Sequence, residues 1–305
     1  MRKFTLWAAA AALAAVFAMP AQAQNKVIGV SLASDENPFY IAMLRGMRAR
    51  AKALGYEISA VSANEDVARQ LNGINDLIAK KVAGILVSPI DAKALCGGYD
   101  KAKAAGIPIM SIARGSACAS QFVHIAVNEI VIGREIAEWT AKKLGGKGKV
   151  AMLAGPSGAQ AFANFAKGYQ ETMAKYPGIT IAFKHEMKLE RELGLKYGED
   201  ALVAHRDLKA IYGANDELGL GAAQAVKQAN RKKDVLVTGM NGIPPAVRAV
   251  KQGDMDLTVV LNPVRWGQLG IDTIHAQLTG KKIDAKVYVE HVLVDKTNVD
   301  KFIRR

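Results

Sequence analysis

The chain is expected to fold as an α/β protein of two doubly wound parallel-sheet lobes with a ligand cleft between them. Three observations point there. Short, β-branched apolar runs alternate with longer amphipathic stretches along nearly the whole chain, as they do where strands buried on both faces are joined by crossover helices. The units recur about every thirty residues, the length of a strand, a helix and two loops. The pattern also begins afresh near residue 129, so a second sheet is expected rather than one very wide sheet.

The first unit organises the rest. VIGVSL at 27–32 reads as a buried strand, ASDEN breaks the pattern, and Pro38 stands where a first helical residue tolerates a missing N–H. A loop at the carboxyl end of a first strand, opening into a helix, is where such sheets hold ligands. A helix is then expected over 39–54, followed by strand 57–61, helix 66–80, strand 84–87, helix 92–105, strand 107–112 and a short strand near 122–127. The helix at 66–80 shows its period well, with Val67, Leu71, Ile74, Leu77 and Ile78 on one face. The second half reads as helix 129–144, strand 150–153, helix 159–176, strand 179–183, helix 190–204, strand 208–212, helix 216–230, strand 235–238, short helix 245–251, strand 255–260 and helix 264–278.

Residues 1–24 read as a secretory signal peptide. Arg2 and Lys3 precede an Ala-rich apolar run, and Ala21-Gln22-Ala23 is a small-residue cleavage pattern. Export to the periplasm, with cleavage near Ala23, is the expectation. A retained anchor fits less well, because the apolar run is short for a bilayer. The formal net charge of +13 includes the two leader cations, leaving +11. In an exported chain the scattered basic clusters read as solvated helix faces, and nucleic acid is not expected as a partner. Two cysteines, Cys96 and Cys118, are expected to pair as a disulfide in an oxidising compartment. No metal site is expected, since two thiols without a nearby His fall short of a tetrahedral set.

Several loop motifs together carry a resemblance: NPFY at 37–40, GILVSPID at 84–91, PIMSIARG at 108–115, YGANDELGLGA at 212–222 and VTGMNG at 237–242. Over residues 26–294 the chain resembles the periplasmic sugar-binding proteins of the ribose-binding type. These are type I periplasmic binding proteins, the substrate-binding components of ABC importers. The resemblance implies a three-crossover hinge, with an N-terminal lobe of 25–127 plus 262–289 and a C-terminal lobe of 128–261 plus 290–305. It implies capture of a small sugar-like, polyol or compact polar ligand by lobe closure and delivery to an ABC permease. A membrane sensor kinase or chemoreceptor is the alternative receiver. No cofactor is implied.

The expected ligand set follows the motifs. Phe39 and Tyr40, at a helix start facing the cleft, can stack on a ring. Arg114 emerges from the end of an apolar strand with a fork of donors. Asn215 and Asn241 end two later strands, whereas Asp216 suits a helix N-cap. Asn37, Ser88, Phe165 and Asn262 complete the set at motif positions. The departures from the resemblance are Ala113 where an acid is usual before Arg114, Ala163 and Phe165 where an Arg is usual, neutral Asn241, Leu261 and Leu189. Several polar groups are thus exchanged for apolar ones, and Arg114 is expected to take a compensating oxygen or charge from the ligand. A ligand with fewer hydroxyls than an ordinary pentose or hexose is expected.

Catalysis is not expected. Gly155-Pro156-Ser157-Gly158-Ala159 misses the nucleophile-elbow spacing, the five histidines are dispersed, and no HExxH, P-loop or strand-linked GxGxxG occurs. A transcription regulator with a similar two-lobed core would carry a helix-turn-helix where the leader stands.

Overall fold

The computed structural model describes residues 26–283 and 286–303, so the leader expected at 1–24 lies outside the described residues. The first half runs β1 (Val27–Leu32), α1 (Pro38–Ala53), β2 (Glu57–Ser62), α2 (Val67–Ala79), β3 (Gly84–Val87), α3 (Cys96–Ala104), β4 (Ile109–Ile112) and β5 (His124–Ala126). The second runs α4 (Glu129–Lys143), β6 (Lys147–Ala154), α5 (Gln160–Met173), β7 (Gly178–Glu186), α6 (Arg191–Ala204), β8 (Leu208–Gly213), α7 (Asp216–Gln228), β9 (Leu236–Thr238), α8 (Pro244–Gln252), β10 (Leu257–Val260) and α9 (Pro263–Leu278). Two short strands, β11 (Lys286–Tyr288) and β12 (Val292–Asp295), and a 3-10 turn at Val299–Phe302 follow.

These elements form two sheets of the same design. The first has the order β11-β5-β4-β3-β1-β2 and is parallel throughout. The second has the order β12-β10-β9-β8-β6-β7 and is parallel except for the edge strand β12. In each, the first strand of its half lies between the second and third, which makes a switch point where loops diverge at the carboxyl ends. The chain passes between sheets three times: between β5 and α4, between β10 and α9, and between β11 and β12.

Burial explains why these segments become strands. β3 is buried at all four positions, and β1 from Ile28 to Leu32, so neither can show the alternation of a half-exposed sheet. Ile74, Leu77, Ile85, Tyr99 and Ile109 fill the core between α2, α3 and the first sheet. Helix pairs that cross at the lobes do so through glycine. A Cβ on Gly46 of α1 would lie 2.1 Å from the Val264 carbonyl oxygen, and one on Gly133 of α4 would lie 2.1 Å from that of Phe165. Both contacts are backbone against backbone, so any side chain there would force the helices apart.

The structure departs from the sequence expectation in several places, including β6, which already begins at Lys147, and β7, which runs on to Glu186. The helix expected over 92–105 begins at Cys96, because the Asp91 carboxylate accepts from the amides of Lys93 and Ala94, both at 2.8 Å, and holds the preceding residues in a turn. The strand expected over 107–112 begins at Ile109, after Pro108, which has no donor for the ladder. The helix expected over 159–176 ends at Met173. The strands β11 and β12 were not anticipated, being three and four residues long, too short for a period to show. Cys96 and Cys118 are bonded, with S–S 2.07 Å and Cα–Cα 5.0 Å, which fastens the start of α3 to the loop beyond Arg114. Among the described residues, no helix is long and apolar enough to cross a membrane, and no group of His, Cys, Asp and Glu could hold a metal ion.

Candidate functional site

A cavity of about 40 Å³ lies between the carboxyl ends of the two sheets. The first sheet's side contributes Asn37, Phe39 and Tyr40 from the start of α1, Ala113 and Arg114 from the end of β4, and Trp266 from the first turn of α9. Opposite stand Ala161, Phe162 and Phe165 of α5, with Leu189, Met240, Asn241 and Leu261 from loops at the ends of β7, β9 and β10. A wider hollow of about 370 Å³ shares Asn37 and Leu189 with this cavity and extends past Ser34, Asn64 and Glu65.

Local geometry aims the side chains on the first side. Asn37 is the N-cap of α1, its side-chain oxygen accepting from the Phe39 amide at 3.0 Å, with Pro38 at the first helical position. That fixed entry puts Phe39 and Tyr40 on the inner face of the helix, both buried. Phe39 meets Tyr40 and Trp266 edge to face, with ring centroids 5.4 and 5.5 Å away. The Tyr40 hydroxyl accepts from Ser88 Oγ at 3.1 Å. Burial, the largest influence, raises the Tyr40 phenol above its ordinary range, so it is neutral at physiological pH.

Arg114 is the polar centre. Ala113 has φ 67°, and the Arg114 amide donates to the Ile112 carbonyl at 2.8 Å, a tight three-residue turn that swings the arginine off the strand. The side chain is only 2% exposed. Its Nη1 and Nη2 donate to Glu65 Oε2 and Oε1 at 2.8 and 2.6 Å, a two-pronged pair. The guanidinium carbon lies 5.7 Å from the Tyr40 ring centroid and 5.4 Å from that of Phe162. Burial alone would push the guanidinium down, but Tyr40 and Glu65 together outweigh it and push it up, so the charge is kept. Arg114 Nε is buried without a hydrogen-bond partner, and so is Trp266 Nε1.

On the other side, Asp216 fastens the loop that carries Asn241. Its carboxylate accepts from Thr258 Oγ1 at 2.6 Å and from the Ile243 amide at 2.8 Å, while its own amide donates to the Met240 carbonyl at 2.8 Å. Complete burial pushes its carboxyl up to about 7. Asn241 itself has φ 129°, and its amide donates to the Val259 carbonyl at 3.0 Å.

The model for the periplasmic binding protein domain matches residues 28–282. The chain belongs to the periplasmic binding protein family. It is 31% identical over 290 residues to the ribose import binding protein of Haemophilus influenzae, covering 95% of this chain and 98% of that one. It is 29% identical to the xylitol-binding protein of Mycolicibacterium smegmatis, over 92% of this chain and 80% of that one. Among solved structures, an ABC transporter periplasmic solute-binding protein from Actinobacillus succinogenes with bound D-allose superposes with TM-score 0.86 at 29% identity, covering 91% of this chain and all of that one. The two-sheet fold and solute binding are thus family properties of this chain.

In this binding protein the expected ligand residues divide into two groups. Asn37, Phe39, Tyr40, Arg114, Phe165 and Asn241 line the cavity together. Ser88, Asn215 and Asn262 do not line it, and each has a structural task. Ser88 stands behind Tyr40 as its donor. Asn215, not Asp216, is the N-cap of α7, accepting from the Leu218 amide at 2.9 Å, and its Nδ2 is buried without a partner. Asn262, with φ 44°, caps α9 by accepting from the Arg265 amide at 3.3 Å.

The expectation that Arg114 depends on the ligand for a counter-charge is corrected by Glu65. This carboxylate comes from 49 positions away, through consecutive left-handed residues Asn64 (φ 46°) and Glu65 (φ 57°) in the loop after β2. Also unanticipated were Ala161, Phe162, Met240 and Trp266. Phe162 had a signal, standing three residues before Phe165 on one helical face. Trp266 follows an Asn-Pro pair as Phe39 and Tyr40 do, which marks it as a helix-start aromatic of the same kind.

Proposed function

We propose that this protein is exported to the periplasm, captures a small, uncharged, sugar-like or polyol ligand between its lobes, and delivers it to an ABC permease without catalysing a reaction. The observation that carries the reading is the cavity wall: apolar and aromatic surface together with Arg114 and Trp266, whose Nε and Nε1 are buried donors without a hydrogen-bond partner. Such a wall suits a ring or short chain with an apolar face and acceptor oxygens on its edges. Ribose, xylitol and allose in the names of related proteins support a carbohydrate or polyol. The many apolar positions, Leu189, Met240 and Leu261 among them, favour fewer hydroxyls than an aldose, because each buried hydroxyl without a partner costs about 1–3 kcal/mol.

The lobes proposed are 25–127 with 262–289 and 128–261 with 290–305, consistent with the three passages of the chain between the sheets. The cavity is walled by residues from the carboxyl ends of both sheets, so ligand entry and release require the lobes to part and close again. Two measurements test the proposal. A thermal-shift screen across aldoses, deoxy sugars and polyols should give saturable stabilisation by a hydroxyl-poor member, and tighter binding of ribose, galactose or glucose would overturn the ligand assignment. Small-angle scattering should show a smaller radius of gyration with that ligand, and an unchanged radius at saturation would rule out closure.

A further inference from the structure

The Arg114–Glu65 pair bears on which ligands the cleft admits, an inference that rests on the solute-binding reading above. Arg114 is buried, and the forked end of its guanidinium is taken by Glu65 at 2.6 and 2.8 Å. The rest of its surroundings are uncharged: Tyr40 and Phe162 lie on its faces, and Ala113 precedes it. The cavity wall thus carries one full positive charge, Arg114, whose negative partner, Glu65, reaches it from the adjoining hollow. An anionic ligand would bring a second negative charge to a cation that already has its partner, and its desolvation would go uncompensated. The approach to the cavity adds to this. Apart from Glu65, whose charge Arg114 offsets, the hollow outside the cavity carries Glu36, Glu190, Glu192 and Glu217 against a single guanidinium, Arg191, on a chain whose net charge is +13. A mouth of that sign repels anions before they reach the wall.

We propose that Glu65 is a specificity-determining residue: by neutralising Arg114 from within the protein, it restricts the cleft to uncharged ligands and excludes sugar acids. With Nη1 and Nη2 both held by Glu65, Arg114 has no free two-pronged grip to give a carboxylate.

Removing Glu65 should reverse the preference. Isothermal titration with three matched pairs, erythritol and erythronate, 2-deoxyribose and 2-deoxyribonate, ribose and ribonate, compares wild type with Glu65→Ala and Glu65→Gln. Wild type should bind the neutral member of a pair and not the acid. In Glu65→Ala the ratio of acid to neutral affinity should rise by at least roughly tenfold, with Glu65→Gln, which keeps the shape of the side chain, in between. A second readout needs no sugar: acetate should raise the melting temperature of Glu65→Ala saturably, beyond chloride at equal ionic strength, by filling the vacated carboxylate position, and leave wild type unmoved. The proposal is overturned if wild type binds an acid as tightly as its neutral partner, or if Glu65→Ala gains neither acid binding nor an acetate response. If no neutral compound binds wild type while acetate still stabilises Glu65→Ala, the carbohydrate reading fails and the role of Glu65 stands.

Discussion

The Arg114 guanidinium, carried at the end of a strand in the first sheet, lies 5.4 Å from the centroid of the Phe162 ring, carried on a helix beside the second. This contact joins the two sides of the cleft with a buried cation over an aromatic face. Such a contact is worth about 2 kcal/mol when desolvated, and it exists only while the lobes are together. Phe162→Ala is therefore expected to weaken ligand binding by at least roughly tenfold, whereas Phe162→Tyr should retain most of the affinity. Calorimetry with the ligand found by the screen measures both. Equal affinity in Phe162→Ala and wild type would show that the contact contributes nothing to closure.

Asp216 should make stability depend on pH in a definite direction. Its carboxyl is pushed from 3.8 up to about 7 by burial. Below pH 4 the group is protonated in both folded and unfolded chains. Between pH 4 and 7 the folded protein keeps a proton that the unfolded chain releases, so this group's contribution falls as pH rises, with a limiting slope of ~1.4 kcal/mol per pH unit, and levels off above 7. Asp216→Asn keeps an acceptor for the Ile243 amide and a group for Thr258 to pair with, but cannot titrate. Urea unfolding of both proteins from pH 4 to 8 should show the gap between them changing across pH 4–7. A constant gap would mean Asp216 titrates as it does in the unfolded chain.

The Cys96–Cys118 bond closes a loop with a sequence separation of 22, and a bond of that span stabilises by about 3 kcal/mol. Cys96→Ser with Cys118→Ser, or reduction of the wild type, is expected to lower the unfolding free energy by about that amount. Because the loop beyond Arg114 hangs from this bond, ligand affinity should fall with it. Identical denaturation curves for oxidised and reduced protein would remove the bond from the account of stability.

Two glycines in helices should respond in opposite senses to alanine. At Gly46 the new Cβ would sit 2.1 Å from the Val264 carbonyl oxygen, so α1 and α9 must separate, at about 3 kcal/mol. Trp266 rides on α9 and Phe39 on α1, so binding should weaken as well. At Gly97 of α3 nothing lies within 4 Å of the added atom, and alanine should stabilise by about 0.5 kcal/mol through helix propensity. Chemical denaturation of the two variants tests the contrast, which disappears if both shift the midpoint the same way.

Much of this architecture was legible in the sequence because it is written in local periods. The buried run VIGVSL, the face of Val67, Leu71, Ile74 and Leu77, and the second start near residue 129 each report a strand or helix from a window of a few residues. Once strands are placed, the residues that follow their carboxyl ends are placed too. Asn37, Phe39, Tyr40, Arg114 and Asn241 were therefore identifiable as neighbours although up to 204 positions separate them.

Tertiary structure alone decided the charge of the site and the division of labour within it. Glu65 reaches Arg114 only because Asn64 and Glu65 both adopt left-handed backbone, a choice made by packing at the loop and invisible to periodicity. Asn215 and Asp216 are adjacent, and either residue type can cap a helix. The burial of Asp216 against Thr258 and Ile243 gave the cap to Asn215 and turned the aspartate into the fastening of the Asn241 loop. Trp266 became part of the wall because α9 returns to the first sheet after the chain has left the second and packs on α1 at a glycine-to-backbone distance. Contacts between segments remote in sequence depend on which faces meet, and that is a property of the assembled core rather than of any window along the chain.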